Sequence, residues 1–416
     1  TTSGDDTING TSDFGSSSGT TFESADEIDG GAGTDRLNVN VVNDTDGQER
    51  SVAPQMAGVE QVFIRNTNDN GATGNGDSFE LDVSSVSGVE EFWSRGASGD
   101  SVTRIDGLDD TNVTIGLRNS DEFYGIQFND SAIDGSDDAV DVIVEDGSDA
   151  TFAVGGDTGE AVETLNVTST GSSGNTLTMD DTDPGGNVGS ALVQNVGTTT
   201  VTVTGDQDFT INDNPGTSTV RTVDASEATE NGEVVREALD GVLDVTLGSV
   251  DAEAGVALTG GTGADRFDLS NVTNTGTSDA DISVSGGLGA DTILVGNNLS
   301  GVDANASLSI SGGDGQDTLN VSGDGAVNGT TIADNNNLTI EGIETVVNNN
   351  IGDDDDLNVT GVDGLENVVV NENSATGSND ITFAEGVDVR VSASANQTSG
   401  IVLDVDGADA NNLVAT

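Results

Sequence analysis

Apolar and polar residues alternate along this chain in short runs, and the runs return at fixed distances. Between residues 256 and 321 the pairs Val256/Leu258, Ile282/Val284 and Leu308/Ile310 follow one another every 26 residues, as do Phe267/Leu269, Ile293/Val295 and Leu319/Val321. Period-two alternation over a few residues is the pattern of a half-buried strand. Between the two strands of each unit lies a glycine-rich turn ending in aspartate: Gly260-Gly-Thr-Gly-Ala-Asp265, Gly286-Gly-Leu-Gly-Ala-Asp291 and Gly312-Gly-Asp-Gly-Gln-Asp317. No single coil of this kind buries its apolar row, so stacking at about 4.8 Å must build the core. The predicted fold is all-β, a right-handed parallel β-solenoid with Gly/Asp-rich turns and little helix.

The same grammar continues at looser spacing. Gly30-Gly-Ala-Gly-Thr-Asp35 leads into Leu37-Asn-Val39, with Asp26 nine residues before Asp35. A shorter turn recurs as Gly58-Val-Glu60, Gly88-Val-Glu90, Gly342-Ile-Glu344 and Gly364-Leu-Glu366, with Ala161-Val-Glu163 as a variant. These read as coils in which a short acidic turn replaces the longer one. Four regions follow: β-repeats over 1–91, a less regular aromatic-containing stretch over 92–150, β-repeats over 151–250, and the regular solenoid over 251–416. The segment from Ala225 to Ala238 is the best candidate for a helix.

Charge narrows the function. The 416 residues hold 75 Asp+Glu against 10 Lys+Arg, a net charge of −65, with no His and no Cys. So negative a surface repels phosphate backbones and anionic headgroups, which argues against nucleic acid and membrane insertion as partners. All ten basic residues are Arg, and dense like charge suits a saline setting where it is screened. Without His or Cys there is no imidazole base, no thiolate nucleophile and no disulfide framework. Oxygen chemistry remains. Calcium takes about 6 to 8 oxygen ligands, and in stacked turns a carboxylate and several carbonyls can converge on an ion between coils. A chain opening on Thr1 reads as a processed product or a fragment.

The four Gly-Gly-x-Gly-x-Asp copies, each leading into an apolar strand, resemble the calcium-binding nonapeptide repeat of RTX proteins. The order of these motifs, with Ala57-Gly-Val-Glu-Gln-Val62 after the first and Thr222-Val-Asp-Ala-Ser226 ahead of the second, is similar to bacterial surface-layer and β-strand-repeat proteins secreted by type I systems. The resemblance implies an RTX-like roll, Ca2+ as cofactor and a place outside the cell, on its surface. It implies as ligands Asp35, Asp265, Asp291 and Asp317, with the turn glycines Gly31, Gly33, Gly261, Gly263, Gly287, Gly289, Gly313 and Gly315, and Asp26 ahead of the first copy. The last three copies are 26 residues apart where RTX blocks repeat every nine, which points to isolated or single-column sites.

The expected function is therefore that of an extracellular, calcium-stabilised structural protein, not an enzyme, assembling with copies of itself as a surface-layer or fibre subunit. The alternative is the adhesive or structural portion of a larger secreted RTX-type protein that binds cell-surface polysaccharide. A minor alternative is a β-helix glycosidase working with carboxylates, although no motif singles out a catalytic pair. Two features could serve the adhesive reading or be plain structure. Trp93 and Tyr124 could stack on sugars or pack within a coil, and Thr198-Thr-Thr-Val-Thr-Val-Thr204 could be a binding face or a half-exposed strand. The run Asp353–Asp356 reads as a solvated acidic loop.

Overall fold

The structure is a computed structural model that describes residues 3–15, 18–42, 49–68, 78–97, 101–156, 160–179, 197–213, 219–226, 228–230, 233–236, 242–247, 255–272, 281–296, 307–321, 338–349, 357–372, 378–393 and 400–406. It is an all-β parallel solenoid. Among the described residues the helical content is one 3-10 turn, Asp130–Ala132. Contacts divide the chain into two compact units, Thr1–Asn214 and Pro215–Thr416.

In the first unit, one parallel sheet stacks Thr7–Asp13, Arg36–Val42, Gln61–Asn66, Glu91–Arg95, Thr114–Arg118, Ala139–Glu145, Thr164–Thr170 and Thr200–Gly205 in chain order. A second parallel sheet stacks Glu49–Val52, Ser78–Asp82, Val102–Leu108, Phe123–Phe128, Asp149–Gly156, Asn175–Met179 and Phe209–Asp213. A short third face is made by Glu27–Asp29, Gln55–Ala57 and Val86–Ser87. From Arg36 onward each coil of this unit thus contributes a strand to each main sheet. The aromatic stretch 92–150 obeys this rule: its strands alternate between the two sheets in register, so it is part of the solenoid.

Inward side chains line up coil over coil. Leu37, Val62, Phe92, Ile115, Val142, Val167 and Val203 are register partners in succession, and all are 0–1% exposed. A one-residue slip would turn this row to solvent, so apolar burial fixes the register. Coil length is free by comparison. Glu91 pairs with Thr114, 23 residues on, whereas Thr164 pairs with Thr200, 36 residues on, and the difference is absorbed between the strands.

The second unit repeats the scheme. One sheet stacks Thr222–Asp224, Val256–Thr259, Ile282–Gly289, Leu308–Gly315 and Leu338–Glu341; the other stacks Leu243–Thr246, Arg266–Leu269, Thr292–Val295, Thr318–Val321, Thr345–Asn348, Asn367–Glu372 and Asp388–Ala393. A third is formed by Leu357–Asn358, Ser378–Ala384 and Gly400–Asp406. All twelve apolar positions of the 26-residue repeat are buried. Among the described residues the expected helix is replaced by strand: Ala228–Glu230 and Glu233–Arg236 pair antiparallel. Ala and Glu favour helix only weakly as a prior, and the sequence places Asn231-Gly232 between the two strands, the dipeptide that most favours a two-residue hairpin.

The stacked rows give a direct test. Ile293 stands in the inward row Val245, Phe267, Ile293, Leu319, Val346, Val368, all 0–1% exposed. Ile293→Ala should cost about 2–5 kcal/mol in urea unfolding, and Thr292→Ala, on the outward side, within about 0.5 kcal/mol. Equal losses would show that this row is not the core.

Candidate functional site: a buried carboxylate column

At the corner where the glycine-rich turn enters the second-sheet strand, the backbone must leave one sheet and join the next. The N–H of the corner residue has no ladder partner there, and an unpaired buried N–H costs about 1–3 kcal/mol. The aspartate that ends each turn meets this need one coil away. Asp265 N–H donates to Asp291 Oδ1 at 2.7 Å, Asp291 N–H to Asp317 Oδ1 at 2.8 Å, and Asp317 N–H to Glu344 Oε2 at 2.7 Å. At the start of this column Leu243 N–H donates to Asp265 Oδ1 at 2.8 Å. The carbonyls of the same aspartates accept from Thr292, Thr318 and Thr345 of the following coil. The coils of this column are therefore tied one to the next through both a carboxylate and the peptide beside it.

The first unit builds the same device from its single long motif. Asp6 N–H donates to Asp35 Oδ1 at 2.7 Å, and Asp35 N–H to Glu60 Oε2 at 2.6 Å. The short acidic turns thus take the aspartate's place, with the longer glutamate side chain reaching the same donor. Glu163 repeats the arrangement on Asp138 N–H at 2.9 Å. All four motif aspartates are buried, at 0–1% exposure.

The turn glycines divide the work. Gly31, Gly287 and Gly313 hold φ near +100°, which side chains disfavour. The first glycine of each motif is needed for space: a Cβ on Gly286 would collide with Asp291 Oδ2 and Gly312 O, and one on Gly260 with Asp265 Oδ2 and Gly286 O. The carbonyls of Gly261, Gly263, Gly287 and Gly289 face the glycines one coil on, closely enough that only hydrogen fits there. Gly33 packs against Gly4 and Asp5, and Gly315 lies over Gly289. Asp26 serves its own turn, accepting from Glu23 N–H at 2.8 Å. The run Asp353–Asp356 lies outside the described residues.

The second oxygens carry the chemistry. Asp265 Oδ2 accepts from Gly261 N–H at 2.7 Å, but Oδ2 of Asp35, Asp291 and Asp317 are buried with no partner. Burial pushes the Asp291 carboxyl up to about 7; the Asp265 N–H opposes this, and the neighbouring Asp265 and Asp317 charges add to it. Burial likewise raises Asp265 against the donors of Leu243 and Gly261, and raises Asp317 with Glu344 and Asp314 adding. A proton or a cation relieves such a row. Calcium fits by donor type, since the unpartnered atoms are hard anionic oxygens with glycine carbonyls beside them. Among the described residues no three acidic side chains gather at one point, so further ligands would have to come from carbonyls and water.

A second buried polar cluster escaped the sequence patterns. Glu122, 2% exposed, accepts from Ser94, from Ser101 at 3.1 Å and from Thr103 at 2.8 Å, and Ser94 Oγ lies 2.5 Å from Ser120 Oγ. Burial pushes its carboxyl up to about 7 against those three hydroxyls. Tyr124, beside it, is fully buried with its hydroxyl unpartnered, and burial holds that hydroxyl protonated far beyond the usual range. The spacing of Ser94, Ser120 and Ser148, all buried, was the available signal.

Comparison with protein-family models, curated proteins and solved structures finds no match.

Asp291→Ala removes the acceptor for the Asp265 N–H and should destabilise by about 1–3 kcal/mol. Asp291→Asn keeps an acceptor and sheds a buried charge, so its unfolding midpoint at pH 8 should stay near or above that of the parent. Equal losses in both variants would show that the carboxylate does not cap the corner. For Glu122 the folded pKa lies above the unfolded one, so the folded state binds the extra proton and stability falls as pH rises from about 4.5 through 7. Between pH 5 and pH 8 this one group contributes a loss on the order of 2 kcal/mol. Melting curves across that range should be flatter in Glu122→Gln; the same slope in parent and variant would remove Glu122 as the cause.

Proposed function

We propose that this chain is an extracellular structural protein, stabilised by calcium, that assembles with copies of itself as a surface-layer or fibre subunit. The observation that carries the reading is the use made of the motif carboxylates. They are 0–1% exposed and spent on holding coil to coil, not on lining a cleft that a substrate could enter. A chain whose repeated acidic groups are coil ties is built for mechanical continuity. The orphaned Oδ2 atoms support the calcium half of the proposal, because an unrelieved row of buried carboxylates destabilises the folded state at neutral pH.

The resemblance to RTX and surface-layer proteins points the same way. The sugar-stacking version of an adhesin loses its basis in these rings: Trp93 is 5% exposed and Tyr124 0%. The threonine run also reads as ordinary strand, with Val201 and Val203 inward and Thr200 and Thr202 half-buried on the other side.

Electron microscopy of the purified protein titrated with calcium tests assembly. Ordered sheets or filaments are expected at millimolar calcium, with a melting temperature that falls on adding EGTA at low salt. Dispersed monomers across the range of calcium and salt, with melting indifferent to EGTA, would overturn the reading.

A further inference from the structure

Four of the ten arginines stand together on the outward side of the first unit's first sheet. There Phe63, Trp93 and Gly116 are register partners on adjacent strands. The Phe63 and Trp93 rings are stacked at 5.7 Å and 5°, and Trp93 spreads into the space a side chain on Gly116 would fill. The Arg36 and Arg95 guanidiniums lie 4.4 and 5.5 Å from the Phe63 centroid, and Arg118 lies 4.9 Å from that of Trp93. These side chains cover the rings, leaving Phe63 and Trp93 at 4% and 5% exposure. A polar row holds them: Arg36 donates to Gln61 Oε1, Gln61 and Trp93 both donate to Glu91 Oε2, and Arg118 pairs with Glu145.

The charge of this patch is only partly neutralised, by Glu145 on Arg118. Arg65 is exposed and Arg95 half-buried, and among the described residues ion pairs are made by Arg118 and Arg266 and by neither of these two, in a chain with 75 acidic residues. Arg95 also stands directly opposite Arg118, a like-charge pairing that costs stability unless something offsets it. Aromatic stacking orients the Arg36, Arg95 and Arg118 groups, which lowers the entropy lost when they engage a partner.

We propose that this face docks on the carboxylate-rich surface of a second copy of the chain. The rings are covered, so what the patch offers is guanidinium, whose planar fork matches carboxylates. At −65 each, two copies repel almost everywhere, and a local basic face fixes the one orientation in which they can approach. The inference rests on the self-assembly reading and names the interface within it.

Sedimentation of the full chain at fixed calcium, over a range of protein and NaCl concentrations, tests it with R65E/R95E and the neutral R65Q/R95Q. Parent self-association should be strongest at intermediate salt and weaken above it, and at that salt the dissociation constant should rise at least about tenfold in the Glu pair and less in the Gln pair. The Gln pair, checked by its circular dichroism and melting, keeps the test open if charge reversal impairs folding. A parent that assembles while both variants assemble equally well would overturn this interface and leave the proposed function standing. A parent that stays monomeric throughout would overturn both. Unchanged self-association with lost retention on alginate beads would assign the patch to an anionic polysaccharide and overturn the second copy as its occupant.

Discussion

A solenoid turns its chain at every corner, and each turn takes a backbone N–H out of the sheet ladders; the rest of this structure depends on how that donor is met. Here the acceptor is a carboxylate from the next coil, as in Asp265 N–H to Asp291 Oδ1 and Asp291 N–H to Asp317 Oδ1. A charged acceptor makes a stronger bond than a carbonyl. It also works only when the coils are in register, so the corner reinforces what the apolar rows impose from inside. The cost is a file of like charges taken out of water, visible in the raised carboxyl of Asp291.

The same constraint explains why two unlike turns can alternate along one solenoid. What must be conserved in space is a carboxylate oxygen beside the preceding coil's corner N–H, not the path that delivers it. Aspartate reaches the donor from a long glycine-rich turn, and Glu60, Glu163 and Glu344 reach it from short ones. Coil length is then free to vary, as the pairing of Glu91 with Thr114 and of Thr164 with Thr200 illustrates. Insertions between strands leave both the apolar rows and the carboxylate file intact.

Much of this was legible in the sequence because a solenoid writes its core as a period. The positions from Val256 to Val321 advance by 26 and are buried as that advance requires. The motif aspartates were likewise identifiable as special, though spacing cannot tell a carboxylate facing an ion from one facing an amide; both need an Asp after glycines. Glu122 left no motif beyond the serine spacing, because its partners Ser94, Ser101 and Thr103 are brought to it from the preceding coil by lateral stacking. The arginine patch was hidden for the same reason, with Arg36, Arg65, Arg95 and Arg118 brought together by lateral stacking. Between Ala228 and Arg236 composition favoured helix, and the Asn-Gly step between the strands was the stronger local instruction.

One residue type thus acts in opposite senses according to where it lies. Exposed carboxylates repel one another, buried ones hold consecutive coils together, and Arg65 and Arg95, in no ion pair among the described residues, are what surface carboxylates of another molecule would seek in the proposed interface. Salt separates these roles. It screens exposed charges over about 8 Å at physiological strength but reaches buried pairs far less, so the ties at Asp265, Asp291 and Asp317 are insulated while the surface is not. Screening relieves repulsion between copies and at the same time weakens a guanidinium–carboxylate contact. Assembly through the proposed basic face would therefore need an intermediate regime, in which general repulsion has been damped but the local attraction still orients the encounter. Of the chain's ten arginines, the outward face around Phe63 and Trp93 is where the fold concentrates four, and that is the attraction the proposed interface would draw on.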